Sequence, residues 1–120
     1  MFSLTGLDGS KIYVSVGSII RIRASITEDG PPATEVEYGA GYIFTHETIA
    51  DLLARIGTAD RFLRLTTRGG SPVYLNAAAI SSIRAAPPIN APGTEISVGG
   101  LYQHVMETPA QIQDLLAAAS

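Results

Sequence analysis

The side chains best suited to proton transfer or metal binding in this chain are two histidines, His46 and His104, and eleven carboxylates; cysteine is absent. The lack of cysteine excludes disulfides, thiolate metal ligands and a thiolate nucleophile together. Neither histidine lies in an H-x-x-x-H or H-E-x-x-H spacing, and no Asp-rich calcium loop occurs. Both histidines are therefore expected to be strand-surface residues, and no metal or cofactor is predicted. Glu47 and Glu107 each precede a threonine and a helical pattern. A carboxylate pair can do acid–base work. Negative charge at a helix start, however, is favoured by about 0.3–1 kcal/mol, so stabilising the helix starts is the expected role. Arg68-Gly69-Gly70-Ser71 and Gly39-Ala40-Gly41 do not continue as phosphate-binding loops and read as hairpin turns. No catalytic residue emerges, and the chain is not expected to be an enzyme.

The 120 residues are 46% hydrophobic. That suffices for one domain or two very small ones. A unit of about 55 residues buries only about 60% of its unfolded surface and is marginal alone, so two such units are expected to share a core. The net charge of −3 and a pI near 5.2 argue against general binding to nucleic acid or anionic membrane. Met1-Phe2-Ser3-Leu4-Thr5 has neither the basic nor the apolar region of a secretory leader. No apolar run approaches the ~20 residues needed to cross a bilayer. The expected location is the cytoplasm, with no membrane insertion.

The elements that must position these groups are written twice. At a shift of 61, nine of the 21 residues from Leu4 to Ala24 are identical to their counterparts, including Gly9-Ser10 with Gly70-Ser71, Tyr13 with Tyr74, and Ile22-Arg23-Ala24 with Ile83-Arg84-Ala85. Beyond the Pro/Gly loops the shift becomes 60, matching Thr34-Glu35-Val36 with Thr94-Glu95-Ile96 and Glu47-Thr48 with Glu107-Thr108. Each unit begins with a strand and a Gly-containing turn, Asp8-Gly9 in the first, which predicts a type I′ hairpin. In the return strand Ile12, Val14 and Val16 alternate with Lys11, Tyr13 and Ser15. A third strand follows near Ile19–Ser25 or Ile80–Ala85, then a loop (Glu28 to Pro32, or Pro87 to Gly93) and a second hairpin. A short helix closes each unit, with Ile49, Leu52, Leu53 and Ile56, or Ile112, Leu115, Leu116 and Ala119, on one face. Thr48/Asp51 and Thr108/Gln111 have the spacing of capping boxes.

Recurrence also selects surface residues. Tyr13, Tyr74, Arg23 and Arg84 occupy matched places and point away from the aliphatic face. Tyrosine and arginine are enriched where partners bind, so these four are the candidate interaction residues. An internal cation–π or packing role is the alternative. Arg61, Arg64 and Arg68 form, with Arg21, a basic group around the junction, and are the candidate contacts of an alternative nucleic-acid-binding module. Valine- and isoleucine-rich strands in two tiny units also predict a homo-oligomer with an unidentified protein partner.

Leu65, Gly70, Val73-Tyr74-Leu75-Asn76, Ile80, Ile83, Thr94-Glu95-Ile96, Gly99, Val105 and Glu107-Thr108 together resemble the small FlbD-like family, which includes a swarming-motility protein. The first unit departs at Ser15, where the family has Asn, and at Thr45, where it has Val. The resemblance implies a motility or assembly role without catalytic residues; a prophage setting is equally open. The fold expected is α+β, mainly antiparallel β. It is a tandem duplication of a four- to five-stranded sheet or SH3-like barrel unit, each closed by a short C-terminal helix. The units expected are residues 1–58 and 59–120, packed as one pseudo-two-fold domain. The function expected is a non-catalytic, self-associating interaction or assembly module of bacterial type.

Overall fold

Period-two alternation in Lys11-Ile12-Tyr13-Val14 becomes a strand whose lysine and tyrosine are exposed and whose valine is buried. The computed structural model describes residues 1–25, 33–39, 41–57 and 61–119. The chain divides into two compact units, Met1–Ala59 and Asp60–Ser120. In the first, β1 (Phe2–Thr5) and β2 (Lys11–Val14) form an antiparallel hairpin. A 3-10 turn at Val16–Ser18 leads into β3 (Ile19–Ser25), β4 (Ala33–Tyr38) and β5 (Gly41–Thr45), an antiparallel meander centred on β4. Helix α1 (Ile49–Ile56) closes the unit.

The second unit has the same elements in the same order. They are β6 (Phe62–Thr66), β7 (Pro72–Asn76), a 3-10 turn at Ala77–Ala79, β8 (Ile80–Ala85), β9 (Thr94–Val98), β10 (Leu101–Val105) and α2 (Pro109–Ala118). A further 3-10 turn, Pro88–Asn90, lies between β8 and β9. Here too a hairpin, β6–β7, precedes an antiparallel meander, β8–β9–β10. The α+β, antiparallel character is as expected. The closed SH3-like barrel is not: within each unit the described strands pair as a separate hairpin and meander, and no ring of hydrogen bonds closes. The loop expected from Glu28 to Pro32 lies outside the described residues.

The first hairpins differ from the expected two-residue type I′ turn. That turn needs positive φ at both central residues, and among the described residues only glycines have it. Gly6 N–H donates to Ser10 at 2.8 Å and Gly9 N–H to Gly6 at 3.0 Å, giving a three-residue loop with Gly9 at φ 85°. Thr67, Gly70 and Ser71 repeat the arrangement, with Gly70 at φ 87°. The left-handed position is costly for any residue with a Cβ, which accounts for the glycine in both units.

Both helices start at the threonine that their sequences predict, and among the described residues only α2 completes the expected capping box. Thr48 accepts from Asp51 N–H at 3.1 Å, and Thr108 and Gln111 form a reciprocal capping box at 3.2 and 2.9 Å. Leu52 and Ile56 of α1 are buried, as is Ile112 of α2. Leu115, expected on the core face of α2, is 38% exposed. The first unit's core is Leu4, Val14, Ile19, Ile22, Val36 and Leu52; the second unit's is Leu65, Val73, Leu75, Ile96, Val105 and Ile112.

Truncating Ile22 or Ile96 to Ala removes fully buried carbons. Each change is expected to cost about 2–5 kcal/mol. Lys11→Ala, at an exposed site, is expected to stay within about 0.5 kcal/mol. Urea denaturation monitored by circular dichroism checks the contrast.

Candidate interaction face

Ile19 and Ile22 are three residues apart in one strand, and both are fully buried. A regular strand would send them to opposite faces. The register shows how they share one: β3 pairs Ile19 with Tyr38 and then Arg21 with Glu37, so one extra residue is taken up between them. This β-bulge resets the alternation. Beyond it Ile22 points inward, and Arg21 and Arg23 point outward. The second unit has the same bulge, with Ile80 opposite Val98 and Ser82 opposite Ser97. Backbone bonds from Gly39 to Ser18 at 3.1 Å and from Gly99 to Ala79 at 2.9 Å secure the same place in both units.

The outward face of each meander is thus two cross-strand rows. In the first unit they are Arg21–Glu37–Tyr42 and Arg23–Glu35–Phe44. In the second they are Ser82–Ser97–Tyr102 and Arg84–Glu95–His104. Arg21 meets Glu37 with two parallel bonds, Nε to Oε1 at 2.5 Å and Nη2 to Oε2 at 2.7 Å, with side-chain exposures of only 7% and 12%. Arg23 donates to Glu35 at 2.6 Å and lies 3.6 Å from Glu37, which links the rows. Arg84 donates from Nε and Nη2 to one Glu95 oxygen at 3.0 and 2.7 Å. That bond, more than any other influence, holds the Glu95 carboxyl below its ordinary range. On the third strand Tyr42 packs edge-on against Phe44, with ring centres 5.6 Å apart. Tyr42 and Tyr102 remain 64% and 76% exposed.

The four candidate interaction residues do not form one patch within either unit. Arg23 and Arg84 lie on the meander faces. Tyr13, 62% exposed, lies on the hairpin strand β2 opposite Ser3. Tyr74 lies half-buried on β7 opposite Arg64. The tyrosines that accompany Arg23 and Arg84 are Tyr42 and Tyr102. Sequence reasoning passed over them, although they recur at the shift of 60 that matches Glu35 with Glu95. Arg61, Arg64 and Arg68 are exposed but strung along β6 and its turn, over roughly 20 Å at about 3.3 Å per residue. Arg68 also donates to the Asn90 carbonyl.

The other groups capable of chemistry are engaged structurally. His104 Nε2 lies 3.0 Å from both the Asn90 and Pro92 carbonyl oxygens and 3.3 Å from Arg68 Nη2, which places the ring against the loop before β9. Glu107 accepts from the Thr66 N–H and hydroxyl, both at 2.9 Å, tying the start of α2 to β6. Glu47 instead takes both its bonds from Arg55, each at 2.7 Å. His46 is exposed. Among the described residues no group of three or more acidic or histidine side chains is placed to hold a metal ion. No helix among them is long and apolar enough to cross a membrane. No protein-family model matches the chain, and the comparisons with curated proteins and with solved structures found no match.

Arg21→Ser takes both fork bonds from Glu37 in a nearly closed site and leaves it Arg23, 3.6 Å away, so the expected cost is about 3 kcal/mol, the low end of the range for breaking a buried pair. Adding Glu37→Ser, which copies the Ser82–Ser97 row, is expected to restore at least about 1 kcal/mol. Chemical denaturation of the two variants measures this.

Glu95 carries a pH signature. Its folded carboxyl is held below the ordinary value near 4.5, so its contribution to stability is present above that value and is lost as pH falls through the lower folded one. The stability gap between the native chain and Glu95→Gln is therefore expected to close on acidification. Urea midpoints across the acid range check it.

Proposed function

We propose that this chain is a non-catalytic interaction module that self-associates through the outward faces of its meanders. The observation that carries the reading is the placement of Tyr42 and Tyr102, largely exposed at matched positions beside the cross-strand pairs Arg23–Glu35 and Arg84–Glu95. Large, rigid aromatic rings with an adjoining arginine are the combination that dominates binding energy at protein interfaces. A face that offers arginine and glutamate in adjacent strands is also complementary to a copy of itself turned by a two-fold axis, because each arginine can meet the copy's glutamate. The matched rows favour a tandem duplication in which both units present the same kind of surface. The FlbD-like motifs supply a setting for such a module: a bacterial assembly, in the cytoplasm, associated with motility or a phage.

Sedimentation velocity over a concentration series tests the reading. The native chain is expected to associate reversibly. Tyr42→Ser with Tyr102→Ser is expected to weaken association at least tenfold, about 1.4 kcal/mol, with thermal unfolding of the monomer unchanged. A native chain that stays monomeric at every concentration would sink the proposal.

A further inference from the structure

The two units fasten the start of their helix differently, and the difference exposes a site. In the second unit Met106 N–H donates to the Thr66 carbonyl at 2.8 Å, and the Glu107 carboxylate takes the Thr66 N–H and hydroxyl. Thr66 is thus satisfied by a backbone N–H and a carboxylate arriving from outside its hairpin. The matching residues of the first unit are Thr5, His46 and Glu47. There Glu47 spends both oxygens on the Arg55 fork, and among the described residues no hydrogen bond joins it to Thr5. Thr5 is left exposed in an open depression of about 340 Å³, with Thr45, His46, Glu47 and Arg55 on its walls. One difference between the units bears directly on Glu47. Arg55 stands where the second unit has Leu115, which has no charge with which to draw the carboxylate away.

Arg55 is itself well placed as a receptor. Its guanidinium lies 4.4 Å above the Phe2 ring and donates to the Ser3 carbonyl at 2.8 Å, so its position does not depend on Glu47 alone. Its side chain is 40% exposed and so open to a ligand. We propose that this depression is a carboxylate-binding site. Arg55 is the receptor, Glu47 is a built-in surrogate ligand, and Thr5 is the resting place that Glu47 takes when displaced. An incoming carboxylate takes the planar fork of Arg55. Glu47 then moves to the Thr5 N–H and hydroxyl, the position that Glu107 already holds on Thr66. Each charge keeps a partner throughout, so entry does not strand a negative group beside the ligand. The ligand chemistry is a carboxylate, borne by a small free acid or by an acidic side chain of an extended segment. This site is separate from the meander faces, and either reading can fail without the other.

Titration followed by ¹H–¹⁵N spectra tests it, reading the Arg55 Nε–H and Thr5 amide signals. The probes are acetate and a capped Thr-Glu-Thr peptide. Both are expected to move the two signals saturably. Peptide binding at least tenfold tighter than acetate identifies a chain segment as the source; equal binding identifies a free acid. Glu47→Gln removes the internal competitor and is expected to tighten acetate binding about tenfold. Asp51→Asn, the same charge change four residues on in the first turn of α1, is expected to alter it less than twofold. Arg55→Leu is expected to abolish binding and to bring the Thr5 amide the same exchange protection as Thr66, whose N–H is bonded to Glu107. Arg55→Lys, which keeps the charge, is expected to weaken binding several-fold through loss of the fork. Equal effects of Glu47→Gln and Asp51→Asn, or probe-induced shifts that survive Arg55→Leu, would overturn the proposal.

Discussion

The β-bulge after Ile19, and its counterpart after Ile80, is the constraint on which the rest of each meander depends. An isoleucine pair spaced by three can face one core from a strand only if the ladder absorbs an extra residue. Once it does, the faces of the whole strand are assigned. Ile22 joins Val36 in the core, and Arg21 and Arg23 turn outward to meet Glu37 and Glu35. Shifting the register by a single residue would bury Arg23 and expose Ile22. The bulge therefore decides at once which side chains join the core and which stand on the opposite face.

The two units keep this frame and vary what stands on it. The Arg21–Glu37 row is nearly buried in the first unit, and serines take both places in the second. Taking two charges out of water roughly offsets their attraction, so such a pair adds little stability over uncharged residues. What it adds is geometry, because a two-bond arginine fork tolerates little sliding of β3 against β4. The outer row keeps its arginine and glutamate in both units and changes only its third member, Phe44 or His104. Phe44 packs against Tyr42, whereas His104 turns its ring nitrogen to the loop before β9. One position thus serves aromatic packing in one unit and loop anchoring in the other.

Much of this was legible in the sequence, for local reasons. Alternation fixed the strand faces around Tyr13, Thr108 and Gln111 marked the helix start, and the glycines marked the turns. What escaped depended on relationships between segments. The spacing of Ile19 and Ile22 looks helical or irregular until a partner strand gives it a register. Arg23 was visible as recurrent, but its partnership with Glu35 needed the pairing of β3 with β4. Tyr42 and Tyr102 recur as plainly as Tyr13 and Tyr74, yet a recurrence has no face until the hairpin that carries it is placed. The same limit explains the barrel: strand patterns say which side is apolar, and only hydrogen bonding between strands says whether a ring closes. Leu115 fits the helical stripe, but α2 turns a narrower face inward than its spacing predicts.

The Arg55 guanidinium also bears on how the chain behaves in a crowded solution. Among the described residues strand β1 pairs only with β2, and the Gly6–Ser10 bond fixes which groups face away from β2: those of Ser3 and Thr5. A bare strand edge is a template for another chain to extend. With a cation seated on the Ser3 carbonyl and over Phe2, an approaching strand must evict a charged plug before its first backbone bond can form. Arg55, whose place in the second helix is taken by Leu115, is in this sense a guard. It covers backbone that β1 would otherwise offer to another strand.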